Sequence, residues 1–174
     1  MGYMTAPVAK GITVTFTPVY KGRFLFVQRH PDDDILGGFW CFPGGKVEVG
    51  ETLSGAIERE CAEEIGLTLT GRAFFVDSYL LGDRLGVHFA VEVSDDIVHL
   101  DELGDSAWVD KVADLSRFSP RVPGIDTHLH YIIEQLDRLR VAVATGEPAA
   151  SAARDLCWRP LAQFDLVEHR FLNR

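Results

Sequence analysis

The sequence predicts an α/β/α sandwich or a closely related α+β domain, and three observations carry that expectation. Segments rich in β-branched and aromatic residues stand both before and after one central amphipathic helix. A second amphipathic helix follows near the end. The 174 residues suit one domain with a substantial core and are short for two.

The first two segments are GITVTFTPVY and, after the turn at Lys21-Gly22, RFLFVQRH, whose side chains favour strands. PDDDILGGF, residues 31 to 39, has the Pro, Asp and Gly content of a loop. WCFPGGKVEVGE then reads as a short strand followed by a glycine-rich turn. A helix is expected from about Thr52 to Ile65, with Leu53, Ala56, Ile57, Cys61 and Ile65 as its apolar stripe. Thr52 is its N-cap and Gly66 its C-terminal stop. Strands follow at roughly 68 to 81 and 85 to 93, and an acidic loop, SDDIVHLDELGD, leads to the short strand AWVD. The second helix spans about Asp126 to Val143, with Leu129, Ile132, Ile133, Leu136 and Leu139 at helical spacing. Residues 1–143 therefore read as the domain, and 144–174 as a linker and C-terminal extension. ATGEPAASAA is the linker. Trp158, Phe164 and Phe171 are costly to leave exposed, so the tail docks on the domain or on a second subunit, which would make a homodimer.

Composition excludes several classes. No apolar run approaches the roughly 18 residues of a membrane span, and MGYMTAPVAK lacks a signal pattern. A cytoplasmic location with no membrane partner is expected. Ala6 breaks the myristoylation pattern. A net charge of −9 without a basic patch argues against a nucleic-acid polymer as partner. Cys41, Cys61 and Cys157 are too dispersed for a disulfide framework or a zinc site and read as structural. His30, His88, His99, His128, His130 and His169 show no metal spacing and read as structural or solvated.

One feature of the central helix resists a structural explanation. Glu60, Glu63 and Glu64 crowd its C-terminal end, where the helix dipole disfavours negative charge and like charges repel. At 100° per residue from Leu53, the apolar Ile57, Cys61 and Ile65 fall at about 40°, 80° and 120°. Glu64 falls at about 20° and Glu60 at about 340°, with Glu63 about 60° further round. Glu64 thus lies at the edge of the apolar stripe, with the other two beside it. Arg59 can pair with Glu63 at i, i+4, but Glu60 lacks a basic partner. Uncompensated buried charge is expensive, and magnesium, which takes oxygen ligands between carboxylates and phosphates, offers the compensation.

The spacing sharpens that reading. From Gly45 the chain runs through five residues to Glu51, seven more to Arg59-Glu60, then Cys61, Ala62, Glu63-Glu64, Ile65, Gly66 and Leu67. This resembles the Nudix box, G-x5-E-x7-R-E-U-x-E-E-x-G-U with U apolar, at every constrained position. Chance agreement is roughly one in 10⁸ per start position at ordinary residue frequencies. Cys61 is a mild departure, since a larger aliphatic residue is usual there. With the strand order and FWCFPGG, the resemblance covers about residues 8 to 140.

The resemblance implies a Nudix-type α/β/α sandwich with a mixed central sheet and a loop–helix–loop metal site. It implies a divalent-metal-dependent pyrophosphohydrolase that cleaves a nucleoside diphosphate linked to another moiety. Mg²⁺ is the implied cofactor, with Mn²⁺ as a substitute, and a nucleotide the implied partner. Glu60, Glu63 and Glu64 match the metal-binding carboxylates, and Gly44 or Gly45 would offer a backbone carbonyl. Arg59 would pair with Glu51 or a neighbouring carboxylate and orient the cluster. The general base is open between Glu64 and Glu102, which stands six residues before Trp108 as the base does in many relatives. Arg29 contacts substrate phosphate or simply ends a strand. Phe39 and Trp40 stack on a nucleobase or pack the core. FPGGKVEVGE is most similar to the MutT-like group, which implies a (d)NTP cleaved to (d)NMP and pyrophosphate. Nucleoside diphosphate sugars and ADP-ribose are the alternative, and a non-catalytic nucleotide-binding module the next. Gly82 stands where ADP-ribose enzymes carry proline, and Asp83, Arg84 and Leu85 where dinucleoside polyphosphate enzymes carry tyrosine.

Overall fold

A computed structural model describes residues 9–144 and 158–165, excepting the side chains of 138–144. Cys157, His169, Phe171 and most of the expected linker lie outside the described residues, as does the side chain of Leu139. β1 (Ile12–Tyr20) and β2 (Arg23–Arg29) meet at Lys21-Gly22, where positive φ values of 47° and 78° turn the chain tightly. Alternation along both strands separates two cores. Val14, Phe16, Leu25 and Val27 face one side of the sheet, while Phe24 and Phe26 face the other.

β3 (Trp40–Cys41), β4 (Gly44–Lys46), β5 (Leu69–Leu81), β6 (Arg84–Val93), β7 (Leu103–Val109) and β8 (Arg159–Pro160) complete an eight-stranded sheet. Its main path is β3-β2-β1-β6-β5-β8, with β4 on β1 and β7 on β2. The β1–β6 pair is parallel and the other pairs antiparallel, so the sheet is mixed. β1 pairs with β2 only at Val19 and Tyr20, which frees its first half for β4 at Thr13 to Thr15.

The glycine-rich turn expected after Trp40 is therefore itself a strand, and Gly44 explains why. Its φ is 142°, and a Cβ there would stand 2.2 Å from the Val14 carbonyl oxygen. Only a residue without a side chain lets β4 approach β1 this closely. β7 likewise begins earlier than AWVD, because Leu103 to Ser106 pair with β2 despite their low strand propensity.

Among the described residues, two helices cover the sheet. α1 (Leu53–Glu60) buries Ala56 and Ile57 on the Val14/Phe16 face. α2 (Ile125–Ala144) buries Leu129, Ile132 and Leu136 on the Phe24/Phe26 face. A short 3₁₀ turn, Val112–Arg117, which the sequence pattern did not indicate, places Leu115 in the second core. The result is the expected α/β/α sandwich. No helix among the described residues is long and apolar enough to cross a membrane.

Candidate active site

The site is built where β4 meets the end of α1. Thr52 caps α1 by accepting the Gly55 N–H at 3.1 Å, and Glu51 turns back to accept the Glu48 N–H at 2.9 Å. After Glu60 the α-helical repeat gives way to a π turn, Cys61–Ile65, which stops at Gly66 with φ of 64°. From Cys61 onward the wheel drawn at 100° per residue no longer applies, because wider turns advance each later side chain less. Glu64 lies inside the protein, 9% exposed, rather than at the rim of the stripe. Its Oε2 accepts the Gly44 N–H at 2.7 Å.

Arg59 gathers the rest. Its Nε and Nη2 donate to the two oxygens of Glu51 at 2.9 and 3.1 Å, a bidentate pair of the kind that fixes geometry. Nη1 donates to Glu60 at 2.7 Å and Glu63 at 3.1 Å, and Nη2 also reaches the Lys46 carbonyl at 3.0 Å. Glu60 therefore has a basic partner after all. Helical spacing concealed it, because side chains at i and i+1 do not ordinarily face each other. The Glu60 carboxylate also fills the space that a side chain on Gly45 would take, 2.1 Å from the Cβ position.

The electrostatics are unbalanced. Hydrogen bonding to Arg59 holds Glu51 below the usual carboxylate range, helped by the Glu48 N–H. Burial pushes Glu60 up, against the pull of Arg59, with Glu63 and Glu102 adding repulsion. Burial pushes Glu64 up to about 7; the Gly44 N–H opposes this, while Glu60 and Glu102 reinforce it. Arg59 is pulled above its already high value, first by Glu51 and then by Glu60. The exposed loop residue Glu102 thus acts on both the half-buried Glu60 and the buried Glu64, although its position far along the chain gives no helical signal.

The sequence model of the NUDIX domain family matches residues 10–119. The chain belongs to that family. Over 50 residues it is 48% identical to an 8-oxo-dGTP diphosphatase of Proteus vulgaris, a match covering 29% of this chain and 45% of that protein. Over 79 residues it is 37% identical to a CTP pyrophosphohydrolase of Escherichia coli strain K12, covering 45% and 50%. The chain spans about half the length of these curated relatives. A solved MutT structure from work on the Aliivibrio salmonicida and Vibrio cholerae proteins superposes with a TM-score of 0.57 at 31% identity, covering 72% of this chain and 98% of that one.

The remaining candidate residues of this Nudix domain divide between the cleft and the core. Arg29 pairs with Asp33 at 3.0 Å, its charge acts on Glu64, and its buried Nε has no hydrogen-bond partner among the described residues. Phe39 is half-buried in the turn after Leu36, held by backbone bonds to Leu36 and Arg29. Trp40 does not offer a free stacking face. It is 8% exposed, with ring centroids 5.6 Å from Phe26 and 4.5 Å from Phe118, so it belongs to the core. On the α2 side, His88 is fully buried with its ring nitrogens on the Thr15 and Thr17 hydroxyls at 2.7 and 2.9 Å.

A divalent cation, which the Nudix family implies, meets suitable donor chemistry here: hard carboxylate oxygens, partly desolvated and mutually repelling. Among the described residues, however, no group of three or more His, Cys, Asp or Glu side chains converges as a ready ligand set. Glu60 and Glu63 are turned onto Arg59, and Glu64 onto Gly44. The residues fit such a cation provided Glu60 and Glu63 exchange part of the guanidinium for it.

Proposed function

We propose that this Nudix domain is a divalent-metal-dependent pyrophosphohydrolase, and that its substrate is a (deoxy)nucleoside triphosphate cleaved to the monophosphate and pyrophosphate. The observation that carries the proposal is the charge surplus around Arg59. Glu51, Glu60 and Glu63 share that one guanidinium, and burial and repulsion raise the proton affinity of Glu60 and Glu64. A site that over-collects carboxylates is suited to recruit cations, and cations are what a polyphosphate needs beside it. The names of the matched relatives, an 8-oxo-dGTP diphosphatase and a CTP pyrophosphohydrolase, support a nucleotide substrate.

Glu60, Glu63 and Glu64, with a Gly44 or Gly45 carbonyl, would hold Mg²⁺ or Mn²⁺. Bound metal supplies charge neutralisation and polarises the phosphate oxygens. Arg59, anchored bidentately on Glu51, keeps Glu60 and Glu63 from scattering. Arg29 has a buried Nε without a partner among the described residues, which suits it to a substrate phosphate oxygen. The attacking water loses its proton to Glu64 or Glu102, its oxygen bonds to phosphorus, and the bond to the departing pyrophosphate breaks.

A panel of triphosphates (8-oxo-dGTP and CTP among them), nucleoside diphosphate sugars and ADP-ribose, assayed with Mg²⁺, tests the reading. Hydrolysis in ¹⁸O-labelled water identifies the phosphorus attacked. Monophosphate and pyrophosphate from a triphosphate are the expected products. Nucleotide sugars turning over a hundredfold more efficiently than every triphosphate would transfer the proposal to the alternative substrate, and no turnover at all would leave a binding module.

A further inference from the structure

The short segment from Trp158 to Asp165 runs from one face of the sheet to the other. Trp158 lies on the α2 side, edge-on to Phe74 at 4.8 Å, with the Arg72 guanidinium over its ring. β8 then pairs with Arg72 and Ala73 of β5, and the Leu161 N–H donates to the Gly71 carbonyl at 2.8 Å. Past that edge, Leu161 is 2% exposed in the same cluster as Ile57, Cys61 and Ile65. Phe164 meets Phe89 at 4.8 Å. The segment ends on the first turn of α1. Asp165 accepts the Ser54 N–H on Oδ1 at 3.0 Å and the Ser54 hydroxyl on Oδ2.

α1 needs such a contact. A helix is favoured by negative charge at its start and disfavoured by negative charge at its end. The first turn of α1 contains no acidic residue of its own, whereas Glu60, Glu63 and Glu64 crowd its far end and the π turn beyond. Asp165, 111 positions from Ser54, supplies the missing charge and takes one of the unpaired N–H groups at the helix start.

We propose that Asp165 is a positioning residue. By fixing the first turn of α1, it holds the helix end that carries Glu60, Glu63 and Glu64 in register with Gly44 and Gly45. The consequence for cation binding rests on the metal-site reading above; the anchoring does not. The test uses the full chain with Asp165→Ala and Asp165→Asn, the latter keeping an acceptor for the Ser54 N–H but no charge. Without metal, amide hydrogen exchange over residues 54–65 is expected to quicken about fivefold in Asp165→Ala and less in Asp165→Asn, with β1 and β6 unchanged. Mn²⁺ affinity, read by electron paramagnetic resonance well below the melting temperature, is expected to weaken in the same order. Wild-type exchange in α1 for Asp165→Ala overturns the anchoring. Faster exchange with unchanged Mn²⁺ affinity overturns positioning and leaves a purely structural contact. If the wild type itself binds no Mn²⁺, the metal reading fails, and exchange in α1 alone decides whether Asp165 anchors the helix.

Discussion

Glu64 and His88 are both buried titratable groups, on opposite faces of the same sheet, and the protein treats them in contrary ways. His88 is 0% exposed, with each ring nitrogen on a threonine hydroxyl and its ring stacked 4.9 Å from His128. Burial, with His128 adding repulsion, pushes it well below the usual histidine range, so it stays neutral. Its polar atoms are satisfied, and a satisfied buried cluster rigidifies a core. Glu64 accepts the Gly44 N–H and sits among repelling carboxylates. Gly44 stands between the two regions: its N–H holds Glu64, and its strand partner is Thr15, which holds His88. A polar group with all its partners stabilises the fold, whereas a group denied them is available for chemistry.

Activity separates the two regions most strongly. Glu63→Gln and Glu64→Gln are each expected to lower turnover by about 10²- to 10⁴-fold while circular dichroism shows a folded protein. His88→Gln should stay within about tenfold of wild type. Near-normal turnover in both glutamate variants would remove the contrast. Next comes Gly44→Ala, which should damage both regions at once. The positive φ and the contact with Val14 predict a loss of roughly 3 kcal/mol in denaturant unfolding, accompanied by lost activity. A loss below about 0.5 kcal/mol would mean that β4 simply moves aside.

Divalent metal separates the two regions by binding as well. At a hundred times its dissociation constant, Mg²⁺ or Mn²⁺ should add about 2.7 kcal/mol to stability. Glu63→Gln/Glu64→Gln should abolish the gain and His88→Gln should keep it, as read by melting temperature. An equal gain in all three proteins would place the metal elsewhere.

The smallest effect concerns pH in the metal-free protein. Folded His88 titrates below its ordinary value of 6.5, so its contribution is complete above that pH and declines as pH falls. The slope for one proton approaches about 1.4 kcal/mol per pH unit. Glu64, raised in the fold, has the opposite sign: its contribution is present at low pH and lost as pH rises through about 7. Replacing His88 by Gln should therefore flatten the acid loss of stability between roughly pH 6.5 and 5, measured as the difference from wild type. Parallel pH curves would mean that His88 is not held neutral.

The local pieces were legible in the chain before any tertiary contact was known. β-Branched and aromatic content marked GITVTFTPVY and RFLFVQRH as strands, Thr52 and Gly66 marked the ends of the helical run, and the spacing from Gly45 to Leu67 identified the family. These features are legible because backbone periodicity imposes them over a few residues. Tertiary structure alone decided the rest. Glu64 was buried on the Gly44 N–H, β4 became a strand against β1, Trp40 went to the core instead of the cleft, and Asp165 reached the start of α1. Contacts such as Thr17 with His88, 71 positions apart, or Ser54 with Asp165, 111 apart, leave no periodic trace in one chain. They form because burial leaves a polar group to find its partner in space, wherever along the sequence that partner lies.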